Sequence, residues 1–428
     1  MVRRDGRMKI AVIGAGVIGV TTAYELAADG HAVTVFERRS AAAEETSFAN
    51  AGLIAPGYVT PWAAPGMPKK VLGSLFSRYA PVKLGLPLSG ADIGWMWKWF
   101  QSCKLETYLA NRARMQRLAF YSRERLHTLT AELRLEYDRS DGYMVLLRAE
   151  KDRALVQPGL QVLRDAGVKF KELDGDAARQ IEPALSSDTP LLGAVHLPDD
   201  EVGNCRQFTM LLKAEAQRLG AAFEFNRTVA HIDTTGGAQV AIAGEPAPRG
   251  FDAIVLCAGV SSPGLLRPLG VRLPMAAVYG YSITANIREP LNAPRSAVMD
   301  ERFKVAISRM GQRVRVAGSA EIGGHLGRKR EAAVQTLYKV LHDWFPGAAQ
   351  LANGVQVWKG ARPMLPDGPP IVGASPDAGG QRRLWLNLGH GSSGWALSCG
   401  SARAIADLVA GRTPEVDMDG LGFDRLMR

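Results

Sequence analysis

Cysteine is scarce in this sequence, and the cysteines that are present form no recognisable pattern. The 428 residues contain four of them, widely spaced, with no CxxC pair and no Cys/His cluster. We therefore expect neither a zinc site nor a disulfide framework, and we predict no metal ligands. A reducing compartment suits such a chain best.

Long apolar runs are also missing. No uninterrupted apolar segment has the length that is needed to span a bilayer. The basic start MVRRDGRMK is followed by an apolar stretch over 10–20 that carries three glycines and has no small-residue cleavage site. This stretch does not fit a signal peptide, so we expect a protein that is not integral to a membrane.

Positive charge is in excess but is not concentrated. Lys and Arg (52) outnumber Asp and Glu (42), which gives a net charge of +10 and a pI of about 9.5. The basic residues occur only in short runs, so we expect a solvated surface and no nucleic-acid partner. Contact with an anionic membrane is the alternative interpretation. At this length two domains are expected rather than one.

A glycine-rich turn lies between a predicted strand and a predicted helix near the start of the chain. The apolar pattern predicts a buried strand over 9–13, a helix over 17–29 and a second strand over 32–37. The turn matches GxGxxG through Gly14, Ala15, Gly16, Val17, Ile18 and Gly19. This order is typical of a dinucleotide-binding βαβ unit, where the pyrophosphate meets the helix N-terminus.

An acidic residue follows the motif at the expected distance of about 20 residues. Glu37 ends the second predicted strand, where its carboxylate can accept hydrogen bonds from ribose hydroxyls. The same carboxylate would repel a 2′-phosphate. The motif in this context predicts a dinucleotide site, and the alternative is a tight structural turn.

The loop after the second strand favours FAD over NAD. Residues 45–53 combine small side chains, hydroxyls and an amide, which suit a loop that wraps phosphate and reaches a flavin ring. The candidate cofactor contacts in it are Ser47, Asn50, Ala51, Gly52 and Leu53. Arg38 and Arg39 could flank the adenosine, although solvated arginines on a surface loop are the alternative, which we prefer for Arg39.

A second glycine-rich turn precedes a predicted helix over 395–410. Its residues are Gly389, His390, Gly391, Ser392, Ser393 and Gly394. A helix N-terminus there presents free N–H donors and positive potential, which at the N1/C2=O edge of a flavin would stabilise the anionic reduced ring. His390 is a catalytic candidate. The alternative is a plain loop in which His390 bonds locally.

A lone arginine lies in an apolar stretch that prolines stiffen, GARPMLPDG over 360–368. Arg362 is either paired with a structural carboxylate or available for a substrate carboxylate. A bidentate contact of the second kind would hold an amino acid by its carboxylate and leave its Cα–H free to face the flavin.

Taken together, the motifs resemble the D-amino-acid oxidase superfamily, and more closely the small-subunit bacterial D-amino-acid dehydrogenases. The matching segments are GAGVIG with Glu37, TSFANAGLIAPGY, PWAAPG, LPDDEVGNCRQFT, YGYS, GARPMLPDGPPIVG and NLGHGSSGW. They occur in the right order over about 9–414, nearly the whole chain.

The resemblance implies further site residues. Val229 would contact the adenine side, while Cys257, Ala258 and Gly259 would close the ADP site. Arg362 would bind the substrate carboxylate at the flavin. Tyr281, with Tyr279, would add a hydroxyl to the substrate site.

The predicted fold class is α/β, with a discontinuous doubly wound FAD-binding domain and an α+β substrate domain built on an antiparallel sheet. Along the chain, segments that predict α/β structure alternate with a helical segment and with an antiparallel strand pattern over 278–316. We assign 8–65, 200–270 and 352–428 to the FAD-binding domain. We assign 66–199 and 271–351 to the substrate domain.

The implied activity is FAD-dependent oxidative deamination of free D-amino acids to 2-oxo acids and ammonia, by hydride transfer from Cα to the flavin. The FAD would be non-covalent, and a quinone or another non-oxygen acceptor would take the electrons. Alternatives are a glycine- or sarcosine-type amine oxidase, a D-proline or hydroxyproline dehydrogenase, a nicotinamide-dependent dehydrogenase, and a flavoprotein subunit whose FAD is structural.

Location follows from the same reasoning. We expect the bacterial cytoplasm, with peripheral contact to the cytoplasmic face of the inner membrane as the second interpretation. The aromatic segment 93–100 is the candidate membrane-facing patch, and burial in the core is its alternative.

Overall fold

The protein is described here by a computed structural model that covers residues 6–74, 81–376 and 383–427. Two large β-sheets organise this part of the chain. The helices are α1 (Val17–Ala28), α2 (Met67–Ser74), α3 (Gly90–Gln101), α4 (Leu105–Leu133), α5 (Glu150–Asp165), α6 (Gly175–Ile181), α7 (Cys205–Arg218), α8 (Ser262–Leu266), α9 (Glu331–Trp344) and α10 (Gly394–Val409).

The strands carry most of the chain that lies between these helices. They are β1 (Lys9–Ile13), β2 (Ala32–Phe36), β3 (Leu53–Ile54), β4 (Val82–Gly85), β5 (Ser140–Leu147), β6 (Lys171–Asp174), β7 (Gly193–Val202), β8 (Ala222–Glu224), β9 (Val229–Asp233), β10 (Ala238–Ile242), β11 (Arg249–Phe251), β12 (Ala253–Leu256), β13 (Ala276–Asn286), β14 (Ala297–Asp300), β15 (Val305–Met310), β16 (Arg313–Gly323), β17 (Gln356–Met364), β18 (Ile371–Ala374) and β19 (Leu384–Leu388).

The first sheet is mostly parallel and has six strands in the order β18-β19-β12-β1-β2-β8. Strand β1 lies near its centre and pairs in parallel with β2 and β12. The near-continuous apolar sequence of β1 suits a strand that is covered on both faces. Helices α1, α4, α7 and α10 cover one face, and the small antiparallel sheet β11-β10-β9 covers the other. The predicted doubly wound α/β fold is confirmed.

A buried carboxylate ties three of these helices together. Glu25 of α1 is fully buried and accepts hydrogen bonds from Arg125 of α4 at 2.7 and 2.9 Å and from Arg403 of α10 at 2.7 Å. A buried charge is stable only when it is paired in this way. The arrangement fixes α1 and α10 relative to each other.

The second sheet has ten strands, eight of them in the order β17-β13-β16-β15-β14-β5-β7-β3. Pairing is antiparallel except between β14 and β5 and between β4 and β16. Helix α9 packs on one face through Leu337, Val340 and Trp344. The antiparallel strands predicted over 278–316 are present as β13 to β16. Strand β17 belongs to this sheet, although 352–428 was assigned to the cofactor domain, so we propose moving that boundary to follow Met364.

Helix α3 divides the aromatic segment 93–100 between two environments. Trp95 and Trp99 are buried, and Trp95 Nε1 donates to the carbonyl oxygen of Met364 at 2.8 Å. Ile93, Trp97 and Phe100 are 57%, 61% and 54% exposed. Their spacing of three and four residues places them on one helical face. One face of α3 is therefore core, and the other is an exposed apolar surface.

An unusual carboxyl group near the end of β7 makes stability depend on pH. Asp200 is 3% exposed, and burial raises its pKa to about 7. Its Oδ1 accepts only a long bond from the Gly57 amide at 3.4 Å, and Arg123 lies 3.9 Å away. The native state therefore holds this proton more tightly than the unfolded chain, and stability is lost as pH rises from about 4 through about 7.

We expect Asp200→Asn to stabilise the protein at pH 8 by roughly 2–4 kcal/mol and to leave stability near pH 4 almost unchanged, because it removes only the buried ionised form. Thermal unfolding at both pH values measures the effect. Asp199→Asn, a change at the half-exposed neighbour, is the control. A Tm below that of the wild type at pH 8 contradicts the prediction.

Candidate active site

One elongated cavity of about 1670 Å³ lies between the two large sheets. Most of the residues predicted for the site border it. They are Gly14, Gly16, Val17, Ile18, Glu37, Arg38, Ser47, Asn50, Ala51, Gly52, Leu53, Val229, Cys257, Ala258, Gly259, Tyr281, Arg362, Gly389, His390, Gly391, Ser392, Ser393 and Gly394. Ala15, Gly19, Arg39 and Tyr279 are not among the residues that line it.

The first glycine turn, residues 14–19, has no room for a side chain at Gly14 or at Gly19. Gly14 adopts φ +105°, and a Cβ on it would lie 2.7 Å from the Cys257 carbonyl oxygen. A Cβ on Gly19 would lie 1.8 Å from the Gly14 carbonyl oxygen. Helix α1 begins after Gly16 without a side-chain cap, so its first N–H groups border the cavity. Ser47 Oγ accepts one of them, Val17 N–H, at 3.0 Å.

Glu37 is held at the mouth of this turn by backbone donors. Its two carboxylate oxygens accept from Ala15 N–H at 2.7 Å and Arg39 N–H at 2.8 Å. The side chains of Arg38 and Arg39 both pair with Glu45, at 2.6 and 2.8 Å. Arg38 still borders the cavity, whereas Arg39 is half exposed and does not line it. Naming Arg39 as a cofactor contact is corrected: its charge is already paired by Glu45.

The loop 46–53 is fastened to the second sheet by side chains that the sequence analysis did not single out. Ser282, Arg315 and Ser308 donate to the carbonyl oxygens of Ala49, Asn50 and Ala51, respectively. The bonds are Ser282 to Ala49 at 2.8 Å, Arg315 to Asn50 at 3.2 Å and Ser308 to Ala51 at 2.8 Å. These three residues lie on three strands far along the chain, so no local motif could have identified them.

Arg315 adds positive charge behind this loop. It is 4% exposed, donates also to Thr284 Oγ1 at 3.0 Å, and burial lowers its pKa to about 10. No carboxylate in the described part of the chain forms an ion pair with Arg315, and this arrangement favours an anionic or electron-rich group on the cavity side of the loop.

Arg362 projects from β17 onto the cavity face of the second sheet. Its Nη1 donates to the Ser319 carbonyl oxygen at 3.1 Å, and burial lowers its pKa to about 10. The guanidinium lies over Gly280, where a Cβ would come within 2.4 Å of Nη2. No carboxylate within residues 6–74, 81–376 and 383–427 forms an ion pair with it. Over those ranges, the interpretation of Arg362 as half of a structural ion pair is therefore excluded. The interpretation that remains is a guanidinium available to a substrate carboxylate.

Tyr279 and Tyr281 do not share this face, and this part of the site prediction is corrected. Strand β13 pairs Val278 with Arg362 and Tyr281 with Lys359, so the tyrosines alternate to the opposite face. The Tyr281 hydroxyl donates to Glu321 and accepts from Arg330 N–H. Lys359 Nζ lies 4.4 Å from the ring centre of Tyr279 and 3.1 Å from Glu321. Both side chains therefore point into this cluster rather than toward Arg362, although Tyr281 still borders the cavity.

His390 is also corrected as a catalytic candidate. It is 3% exposed, its Nε2 lies 3.0 Å from Ser401 Oγ, and burial lowers its pKa to about 3. A histidine with so low a pKa stays neutral at neutral pH and is a poor proton carrier there. Its backbone pairs with Met364, which joins the second glycine turn to β17. The structure therefore favours the alternative in which His390 only makes local hydrogen bonds.

The second glycine turn brings another helix N-terminus to the cavity. Gly389 and Gly391 adopt φ of +79° and +58°, which a side chain would strain. Helix α10 then begins at Gly394, and Ser393 provides no side-chain cap. Two helix N-termini, of α1 and α10, therefore border one cavity with positive potential.

The fold and cavity define a class, a dinucleotide-binding α/β protein in which a second sheet closes over the cofactor. The glycine turn of residues 14–19, the two helix N-termini and the cavity that they border fit FAD. Residues 9–408 match the FAD dependent oxidoreductase (DAO) family, and the chain belongs to that family.

Curated relatives and solved structures agree with this assignment. A D-amino acid dehydrogenase of Cereibacter sphaeroides is 43% identical over 98% of this chain and 95% of its own length. One from Rhizorhabdus wittichii is 43% identical over 98% of this chain and 100% of its own length. The crystal structure of glycine oxidase from Geobacillus kaustophilus superposes with a TM-score of 0.76 at 21% identity, over 97% of this chain and 98% of that one.

Proposed function

We propose that this FAD-dependent oxidoreductase oxidises free D-amino acids to 2-oxo acids and ammonia, with FAD bound non-covalently. The observation that carries the proposal is Arg362, a partly buried guanidinium at the cavity that forms no ion pair with a carboxylate in the described ranges. The names of the 43%-identical relatives supply the handedness of the substrate. We also infer two domains, with Arg362 contributed by the substrate domain.

The residues of this chain would act mainly by positioning. Gly14 to Gly19 and Glu37 would hold the ADP half, with the loop 46–53 and residues 389–394 nearer the ring. Val229 and 257–259 would border the ADP half as well. When bound, FAD supplies an acceptor for the hydride that leaves Cα. Holding two reactants in the correct orientation by itself raises the reaction rate by several powers of ten.

Arg362 would do more than bind the carboxylate. A positive charge that is shielded from water disfavours a second positive charge nearby, so it would lower the pKa of the substrate ammonium. The neutral amine is the form whose lone pair assists hydride loss. The N-terminus of α10 would stabilise negative charge on the reduced cofactor.

Anaerobic reduction of the purified flavoprotein tests the proposal. We expect D-alanine to bleach the flavin absorbance band and L-alanine to leave it unchanged. Bleaching by glycine, sarcosine or D-proline but not by D-alanine would favour the amine oxidase or proline dehydrogenase alternatives. A flavin that no amine reduces would favour a structural subunit. Fast dye reduction with slow peroxide formation in air would identify a dehydrogenase.

We further propose that the exposed face of α3 contacts an anionic membrane on the cytoplasmic side of the bacterial inner membrane. Ile93, Trp97 and Phe100 form its apolar centre, and the segments just before and after α3 carry the exposed leucines Leu86, Leu105 and Leu109. Lys98 and Lys104 are exposed beside these residues, and the chain carries a net charge of +10. Within the described ranges no helix combines the length and apolarity that crossing a membrane requires.

Vesicle sedimentation tests this surface. We expect the wild type to sediment with anionic vesicles at low salt, and Trp97→Asp with Phe100→Asp to lose most of that binding, because charge removes the apolar contact. Leu291→Asp, a change at an exposed leucine on another element, is the control. Equal sedimentation of the double variant and the wild type contradicts the proposal.

A further inference from the structure

Two glycines face each other beside Arg362, on the paired strands β13 and β17. Gly280 of β13 pairs directly with Gly360 of β17, and both residues line the cavity. Arg362 lies over the first of them, since a Cβ on Gly280 would come within 2.4 Å of its Nη2. Residues that are paired in this way have their Cβ positions about 4.5–5.5 Å apart, so the space over Gly360 adjoins the guanidinium.

An indole ring occupies the space over Gly360. A Cβ on this glycine would lie 1.7 Å from Cη2 of Trp358 and 2.1 Å from its Cζ2, so the benzenoid half of the ring lies across the strand. Trp358, Gly360 and Arg362 are alternate residues of β17, so they share one face, and all three line the cavity. Trp358 is only partly buried. The ring therefore forms a cavity wall beside the guanidinium.

A bulge in β16 holds the guanidinium next to this wall. The register of β16 with β13 shifts between Tyr279 and Tyr281, and Ser319 in the bulge adopts φ +60°. The Ser319 carbonyl oxygen accepts from Nη1 of Arg362 at 3.1 Å. Because the side chain of an α-amino acid is only a few bonds from its carboxylate, a substrate whose carboxylate binds Arg362 has its side chain within reach of the indole.

The surroundings of this position suit an apolar side chain. The small residues Ala306 and Ala317 continue the cavity floor, while Trp62 and Met67 line the cavity and pack against a hydrophobic cluster of the second sheet. Among the described strand residues of this sheet that line the cavity, none is acidic and Arg362 is the only basic one. A charged substrate side chain would find no further partner on these strands, whereas an apolar one would be well contacted.

We propose that Trp358 is a specificity-determining residue whose indole binds the side chain of the substrate, so that D-amino acids with aromatic or other large apolar side chains are preferred over D-alanine. This inference rests on the proposed function, because Arg362 places the side chain only if it binds the substrate carboxylate. Each apolar atom that is added to the side chain gains dispersion contact with the ring. Gly360 is required for the arrangement, since a side chain there would displace the indole.

Trp358→Ala tests the assignment when D-phenylalanine is compared with D-alanine in anaerobic flavin reduction. We expect the wild type to have the higher kcat/KM with D-phenylalanine. The variant should lower the ratio of the two values about thirtyfold, because it removes the apolar wall. Its kcat/KM for D-alanine should stay within about threefold of the wild type, because a methyl group makes little contact with the ring. Trp358→Phe keeps an aromatic ring and should keep most of the preference.

Binding of carboxylates that lack the amine measures the side-chain site without any oxidation. Hydrocinnamate and propionate correspond to D-phenylalanine and D-alanine, and their Kd values follow from perturbation of the flavin spectrum of the oxidised holoenzyme. We expect Trp358→Ala to raise the Kd of hydrocinnamate about thirtyfold and to change that of propionate little. Leu351→Ala, a change at an exposed leucine of the loop before β17, is the control and should change neither.

The outcomes separate this inference from the proposed function. An unchanged ratio of D-phenylalanine to D-alanine in Trp358→Ala overturns the inference, and so does a wild type that prefers D-alanine. Equal losses for both substrates also overturn it, because the indole would then serve the carboxylate or the amine that the two share. Hydrocinnamate binding that depends on Trp358, in a protein that no D-amino acid reduces, supports the side-chain site and refutes the proposed function.

Discussion

Arg362→Ala is expected to lower kcat/KM for D-alanine about a thousandfold while FAD stays bound. The substitution removes a partly buried cation that faces the proposed substrate position, and losing the charged partner of a bound carboxylate costs about 2–5 kcal/mol. A thousandfold loss corresponds to about 4 kcal/mol. Dye-coupled turnover gives kcat/KM, and the flavin absorbance of the purified variant gives the bound FAD.

Two comparisons separate a binding role from a structural one. Arg362→Lys keeps the charge but loses bidentate geometry, so we expect an intermediate loss, mainly in KM. Arg362→Ala should unfold close to the wild-type temperature, because the partly buried guanidinium forms no ion pair in the described ranges and the change removes only its bond to the Ser319 carbonyl oxygen. Arg218→Ala, a change at an exposed arginine, is the control. Near wild-type kcat/KM in Arg362→Ala would refute the carboxylate assignment.

Gly19→Ala is expected to yield a protein that is purified without FAD and has less than about one hundredth of the wild-type activity, because a Cβ at this position meets the Gly14 carbonyl oxygen at 1.8 Å. The clash forces α1 away from the turn and removes the surface on which the pyrophosphate would lie. The ratio of FAD to protein in the purified variant measures the effect.

Gly236→Ala is the matched control for this change, because a Cβ at Gly236 meets nothing within 4 Å and the residue does not line the cavity. It should retain FAD as the wild type does. A Gly19→Ala protein with one FAD per chain would show that the turn tolerates the displacement and would contradict the prediction.

Local sequence was sufficient where neighbouring residues set the geometry. The strand, turn and helix predicted over 9–29 form as β1 and α1, because apolar periodicity and glycine conformational freedom act within a few residues. Arg362 could be recognised for the same reason, because the apolar residues next to it in 360–368 offer its charge no partner.

Side-chain direction on paired strands was not accessible in this way. The resemblance placed Tyr281 beside Arg362, yet strand alternation and the pairing of β13 with β17 put them on opposite faces. The register of two strands about 80 residues apart depends on the whole sheet, not on either segment. Likewise His390 lies in a glycine turn that borders the cavity, but packing against α10 directs its ring to Ser401.

The sequence by itself determined the dinucleotide unit, the FAD-dependent family and the arginine that the substrate proposal depends on. The unit and the arginine are each encoded within one short segment, and the family is encoded in short motifs whose order along the chain needs no tertiary contact. Only the tertiary structure decided which face each strand residue occupies, how Ser282, Ser308 and Arg315 fasten the loop 46–53, and that the cavity continues from β17 to β5. These features arise from contacts between segments hundreds of residues apart, and such contacts form only when the two sheets are assembled.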